Sequence, residues 1–279
     1  MDLGLPVLGA GLSALLMLAV AMKWKLPQPV ALAGIAAVAI VAALPFIWMY
    51  PLLESSFASG VVILGQVSVA FAFGLLLLLQ RFWRDPERLP SETEGVVLSA
   101  ADGEVVYVWN IAEESATLVS KEGRDYRLDE LTGTKLAEAV HVVGVGMSFM
   151  DVHVNRCPIP GQVKLMKHIA GKFLSLGRDE APFVNERLTT VIESETLDVA
   201  VVQIASRLVR RIQSYLKVGD VVIAGQRLGM IRLGSLVAII IPDREDVQIE
   251  VTPGDRVTAG VSVLARHSGS CSGGSGPQE

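Results

Sequence analysis

Three long apolar runs open the chain, and the pattern then changes. Leu3 to Met22, Pro29 to Met49 and Gly60 to Leu79 carry almost no charge. Each run is about 20 residues, which at ~1.5 Å per residue matches a hydrocarbon core of ~30 Å. The pattern predicts N-terminal transmembrane α-helices over residues 1–80, three in number. Pro29 and Pro45 leave the second run open to a broken or re-entrant helix.

Beyond residue 80 the apolar runs shorten. Val105 to Trp109, Gln162 to Met166, Thr189 to Glu193 and Val199 to Ala205 are rich in Val, Ile and Thr and alternate with Gly, Pro and Asp turns. Residues 81–267 therefore read as a mostly β (α+β) domain. Leu236 to Ile241 is continuously apolar, as a strand buried on both faces would be. Arg207 to Leu216 fits either a short helix or a strand. Residues 268–279 are Ser/Gly-rich without apolar pattern and read as a disordered tail.

An internal repeat appears at an offset of 35 residues, Val218-Gly-Asp-Val-Val-Ile-Ala-Gly225 and Pro253-Gly-Asp-Arg-Val-Thr-Ala-Gly260. Two such copies predict a pseudo-symmetric β sandwich or barrel resembling the barrel-sandwich hybrid of lipoyl and biotinyl carrier domains. A carrier needs a lysine at a hairpin tip, and no lysine occurs from Leu228 onward. The competing expectation from a different class is a nonenzymatic, membrane-anchored, carrier-like β adaptor, which would remain one intact chain.

Charge sharpens the division. Only Asp2, Lys23, Lys25 and Glu54 are charged in residues 1–80, so the net charge of -5 belongs to the rest. That balance disfavours nucleic acid as a partner. Lys23 and Lys25 in the first connection, with Arg81, Arg84 and Arg88 after the third run, predict a multi-pass protein of the cell membrane with its C-terminal domain cytoplasmic. Cys157 and Cys271 have no metal-ligand spacing. Asp151 and His153 would share a strand face but have no companion ligands, so no metal is expected.

Six ordered segments carry a further signal: Phe82-Trp-Arg-Asp-Pro-Glu-Arg88, Leu98-Ser-Ala-Ala-Asp-Gly-Glu-Val105, Phe149-Met-Asp-Val-His-Val-Asn-Arg156, His168-Ile-Ala-Gly-Lys-Phe173, Asn185-Glu-Arg187 and Gly229-Met-Ile-Arg-Leu-Gly-Ser235. In this order they resemble the motifs of the phosphatidylserine decarboxylases, in the short branch found in bacteria and archaea.

The resemblance implies a proenzyme that cuts itself between Gly234 and Ser235. The Ser235 hydroxyl would attack the preceding carbonyl to give an ester, and β-elimination with loss of ammonia would leave a covalent pyruvoyl cofactor. That group would form an imine with the amine of phosphatidylserine or archaetidylserine and accept electrons as CO2 leaves, giving the ethanolamine lipid. The hydroxyl needs a base and a group to orient it, and Asp102 and His153 are the candidates, with His153 also the proton donor in turnover. The implied partners are the membrane phospholipid, the two chains of the cut precursor held together, and a second copy in a possible homodimer.

The pattern departs from the family's other main branch at Arg156, where that branch has a second histidine. His153 could serve as processing base alone, or His168 could approach from a neighbouring strand. Arg156 could instead contact the lipid phosphate, for which a guanidinium fork is suited.

Overall fold

The structure, a computed structural model, describes residues 4–23, 29, 32–40, 56–111, 117–121, 124–134, 139–148, 150–176, 178–206, 212–231 and 235–268. The chain divides into two units, Met1–Arg84 and Asp85–Glu279.

The first unit contains α1 (Gly4–Lys23), a helical stretch over 32–40, and α2 (Ser56–Phe82). Val38 and Ala70 are buried against each other, with Met17 and Phe73 packed on them. Small residues permit this approach, since a Cβ on Gly74 would lie 2.9 Å from the Met17 thioether. Among the described residues no helix is long and apolar enough to cross a membrane, so the expected transmembrane helices are not supported. A run can be uncharged without being apolar enough to span. Gly9, Gly11 and Ser13 in α1, and Gln66 and Ser68 in α2, add length without apolar surface. Most of the second run lies outside the described residues.

The second unit is mostly β. Its strands are β1 (Val96–Leu98), β2 (Gly103–Ile111), β3 (Thr117–Lys121), β4 (Arg124–Arg127), β5 (Val140–Met147), β6 (Val154–Arg156), β7 (Gly161–Ile169), β8 (Arg187–Glu193), β9 (Val199–Ala205), β10 (Ile212–Ser214), β11 (Val221–Val222), β12 (Arg227–Ile231), β13 (Ser235–Pro242), β14 (Val247–Ile249), β15 (Arg256–Val257) and β16 (Val263–His267). Short helices α3 (Leu128–Thr132) and α4 (Ala181–Val184) interrupt them. Eight strands form one sheet in the order β11-β7-β8-β9-β13-β5-β2-β15, and smaller sheets run β1-β16-β14 and β10-β12-β6. The ambiguous stretch after Arg207 thus contributes strand β10, its residues 207–211 lying outside the described set.

The repeat copies sit at the two edges of the eight-stranded sheet, β11 beside β7 and β15 beside β2. Val163 N–H donates to Asp220 O and Val105 N–H to Asp255 O, each at 2.9 Å; Gly219 and Gly254 return N–H bonds to Val163 O and Val105 O. The expected pseudo-symmetric sandwich or barrel is corrected to a curled half-barrel. The reason is that the repeat copies supply only two-residue edge strands, β11 and β15, which pair inward and do not meet.

Strand β13 is central and covered on both sides. Val237, Ile239 and Ile241 join Val143, Val145, Val199 and Val201 in one core, while Leu236, Ala238 and Ile240 join Val142, Val202 and Ile204 in another. Alternation sends successive side chains to opposite faces, so a strand with a core on each face is apolar throughout.

Candidate active site

Three strands end together at position 235. Ser235 opens β13 with its Cα opposite Met147, the last residue of β5, and opposite Ala205, the last of β9. Gly234 lies outside the described residues, as do Arg232 and Leu233. Their flanks are nonetheless placed. β12 ends at Ile231, whose N–H donates to the His153 carbonyl at 3.2 Å, and β13 begins at Ser235. The histidine segment therefore borders the end of β12.

His153 is fully buried. Its Nδ1 lies 2.8 Å from the Asp151 carbonyl oxygen, which assigns the proton to Nδ1 and leaves the lone pair on Nε2. Burial holds its pKa below the usual histidine range, against the opposing pull of Asp151 and Asp102. A neutral imidazole with a basic Nε2 can accept a proton at neutral pH.

The carboxylates build the frame around it. Asp102 receives both guanidinium nitrogens of Arg88, at 2.5 and 2.8 Å, and the backbone N–H groups of Ala259 at 2.8 Å and Val152 at 3.4 Å. It thereby ties the residue before His153 to the C-terminal repeat. Asp151 accepts the Ser148 N–H and an Arg256 N–H, each at 2.7 Å, closing the turn that leads from β5 to His153.

Arg156 and His168 are placed elsewhere. Arg156, only 3% exposed, donates to Gly225 O, Pro86 O and Asp85, and Asp85 also receives Arg227. Its guanidinium thus clamps the Asp85–Arg88 segment to β12 and the first repeat. His168 is exposed and faces Glu186 at 2.9 Å. Its strand β7 lies three places from β13 in the sheet, roughly 14 Å at about 4.8 Å per strand. Asn185 and Arg187 buttress the fold. The Asn185 amide donates to Ala205 O, opposite position 235, and Arg187 bonds the carbonyls of Leu131, Asn185 and Glu130.

Two features escaped the sequence reading. A cavity of about 330 Å³ is lined by Tyr107, Trp109, Met147, Leu236 and Arg178 among others, so it reaches residues next to and opposite position 235. The Tyr107 and Trp109 rings stack at 3.8 Å, and the Tyr107 hydroxyl is buried with no partner among the described residues. Gly144 makes room for that ring, since a Cβ there would come within 2.3 Å of it. The second feature is Gln203, fully buried on β9 and bonded to Asn155. Its signal was legible as the one polar residue of Val199–Ala205.

Comparison with known proteins identifies the family. Residues 75–265 match the phosphatidylserine decarboxylase family. A Syntrophotalea carbinolica phosphatidylserine decarboxylase proenzyme is 36% identical over 239 residues, covering 85% of this chain and 96% of that protein. A Methanocaldococcus jannaschii protein whose name assigns it archaetidylserine decarboxylation is 38% identical over 191 residues, 68% of this chain and 90% of its own length. A Geotalea uraniireducens phosphatidylserine decarboxylase proenzyme is 33% identical over 200 residues, 71% of this chain and 84% of that protein. The chain belongs to the phosphatidylserine decarboxylase family and is a decarboxylase.

Proposed function

We propose that the chain is a precursor that cleaves itself between Gly234 and Ser235 and then converts phosphatidylserine or archaetidylserine to the ethanolamine lipid and CO2. The observation that carries this reading is a fully buried histidine whose carbonyl holds Ile231 at the end of β12, just before β13 begins at Ser235. In processing, His153 Nε2 takes the proton of the Ser235 hydroxyl as that oxygen attacks the carbonyl of residue 234. Asp102 acts on His153 through the Val152 N–H and through its charge, orienting the base rather than receiving its proton.

Small Ala205 lies opposite position 235, and on the same strand the Gln203 amide oxygen, buried with no hydrogen-bond partner among the described residues, offers an acceptor to a donor group. A pyruvoyl group there would supply the carbonyl for the substrate amine and the electron sink for loss of CO2. The protein's share is to hold the headgroup and move the proton. We assign to His153 the return of a proton to the carbon that loses CO2.

The cavity beside Leu236 is the proposed seat of the rest of the headgroup, with Arg178, 61% exposed on its side chain, as phosphate partner. Arg156 is proposed for positioning instead, since carbonyls and Asp85 occupy its guanidinium. Membrane association is part of the same reading. In the first unit Leu8, Leu12, Leu15 and Met22 of α1 and Leu64, Phe71 and Leu76 of α2 are exposed, as on surfaces that meet lipid.

Denaturing intact-mass measurement of wild type and Ser235→Ala tests the proposal. Wild type should yield residues 1–234 and a 235–279 fragment lighter than a serine-ended one by a single ammonia. Ser235→Ala should remain one chain. An uncut wild type that releases no CO2 from phosphatidylserine vesicles would withdraw the reading.

A further inference from the structure

Asn155 lies across the start of β13. Its Oδ1 accepts Gln203 Nε2 at 2.8 Å, and its Nδ2 lies 3.8 Å from the Met147 sulfur. Gln203 belongs to β9 and Met147 to β5, and β13 runs between those two strands. Gln203 is opposite Val237 and Met147 is opposite Ser235. An amide touching both must sit over β13 at positions 235 to 237. By backbone register Gln203 is opposite Val237, two residues along β13 from position 235.

This pair is built in rather than incidental. Both amides are fully buried. Gly229 on β12 packs against Gln203, and a Cβ there would be in ordinary contact with its Nε2 at 3.4 Å while clashing with Gln213 O at 2.5 Å. Asn155 thus holds one end of the Gln203 amide. The other end, Oε1, is buried with no hydrogen-bond partner among the described residues. Buried acceptors are almost always satisfied, and an open one beside a reacting position calls for a donor.

We propose that the donor is the amine of the serine headgroup: Gln203 Oε1 accepts an N–H from that amine as it meets the group at position 235, and Asn155 orients Gln203 from behind. This rests on the decarboxylase reading of position 235 and adds the residue that recognises the amine. No charged side chain is needed for the task. A neutral acceptor holds an ammonium in a buried place without trapping it as a permanent ion pair.

The test uses full-length Gln203→Met, which keeps the side-chain length and removes the amide, and Gln203→Asn, which keeps the amide and withdraws it by one methylene. Three quantities are measured: extent of cleavage by denaturing mass, kcat/KM on phosphatidylserine vesicles, and calorimetric binding of glycerophosphoethanolamine and of glycerophosphate. Gln203→Met should cleave fully and lose ~10- to 100-fold in kcat/KM, the loss expected for one hydrogen bond to a charged group. It should bind glycerophosphoethanolamine about 10-fold or more weakly and leave the amine-free glycerophosphate unchanged. Gln203→Asn should cleave and fall between Gln203→Met and wild type.

Turnover at the wild-type rate in Gln203→Met overturns the proposal, as does equal weakening of both ligands. If both variants stay uncut while wild type cleaves, Gln203 serves folding or processing and the proposal fails, with the decarboxylase reading intact. If wild type itself is uncut and inactive, the decarboxylase reading fails first.

Discussion

His153 is buried in an environment that resists its charge, so its protonation is coupled to unfolding. Its folded pKa is below the unfolded value of about 6.5, so the unfolded chain binds the proton more readily. The stability it contributes is therefore complete above that unfolded value and is lost as pH falls through the folded one. Urea titrations of wild type and His153→Gln at steps from pH 8 to pH 5 should show the steeper acid loss in wild type. Equal slopes would mean that the imidazole is not held neutral by burial. Asp102 makes a separate test at this scale. Asp102→Asn leaves Arg88 facing a neutral amide in a site where both side chains are only 11% exposed, and a loss of about 3 kcal/mol is expected. Arg88→Met should cost a similar amount and the double variant much less than the sum, because both single changes break one pair. Additive losses would show that the two act separately.

Among the elements, the repeat explains why certain turns tolerate only glycine. Gly103 and Gly161 begin β2 and β7 at equivalent places, with φ of 153° and 154°. A Cβ on either would lie 2.2 Å from a backbone oxygen, that of Gly146 or of Glu193. Gly219, at φ 94°, has nothing within 4 Å of its Cβ position. Gly161→Ala should thus destabilise by more than about 2 kcal/mol through the clash, whereas Gly219→Ala should cost only about 1 kcal/mol of backbone strain. Thermal unfolding of the two variants side by side decides the matter. Equal costs would imply that φ alone, and not the close approach of β8 to β7, demands glycine at 161.

At the scale of the whole molecule, the proposed cut falls where the fold can bear it. The 235–279 fragment would contain β13 to β16, and β13 pairs with β5 on one side and β9 on the other. β16 pairs with β1, and β15 with β2. Each of those partners lies in residues 1–234, so the sheets cross the cut in several places. Both fragments should co-elute on gel filtration in native buffer and separate in concentrated urea. Separation in native buffer would mean that these ladders do not hold the cut chains together.

Much of the second unit was readable along the chain because strand physics is local. Leu236 to Ile241 is apolar without alternation, and the structure buries it on both faces. The offset copies at Val218 and Pro253 were visible as a repeat, and the family followed from short motifs whose order survives in the linear sequence. Tertiary structure alone decided how those pieces close. The edge-strand role of the repeat depends on pairing between residues far apart, as in Val257 with Gly103, and so the half-barrel could not be inferred from the copies themselves. The same holds for the site. Asp102 is a candidate by motif alone until Arg88 and Ala259 converge on it, and Gln203 is one polar letter in a strand until Asn155 from another sheet takes its amide. Apolar length in the first unit misled for a related reason, since counting uncharged residues ignores how little apolar surface Gly, Ala and Ser provide. Periodicity and motif are properties of neighbours in sequence; partners, burial and enclosure are set only when distant strands are brought into register.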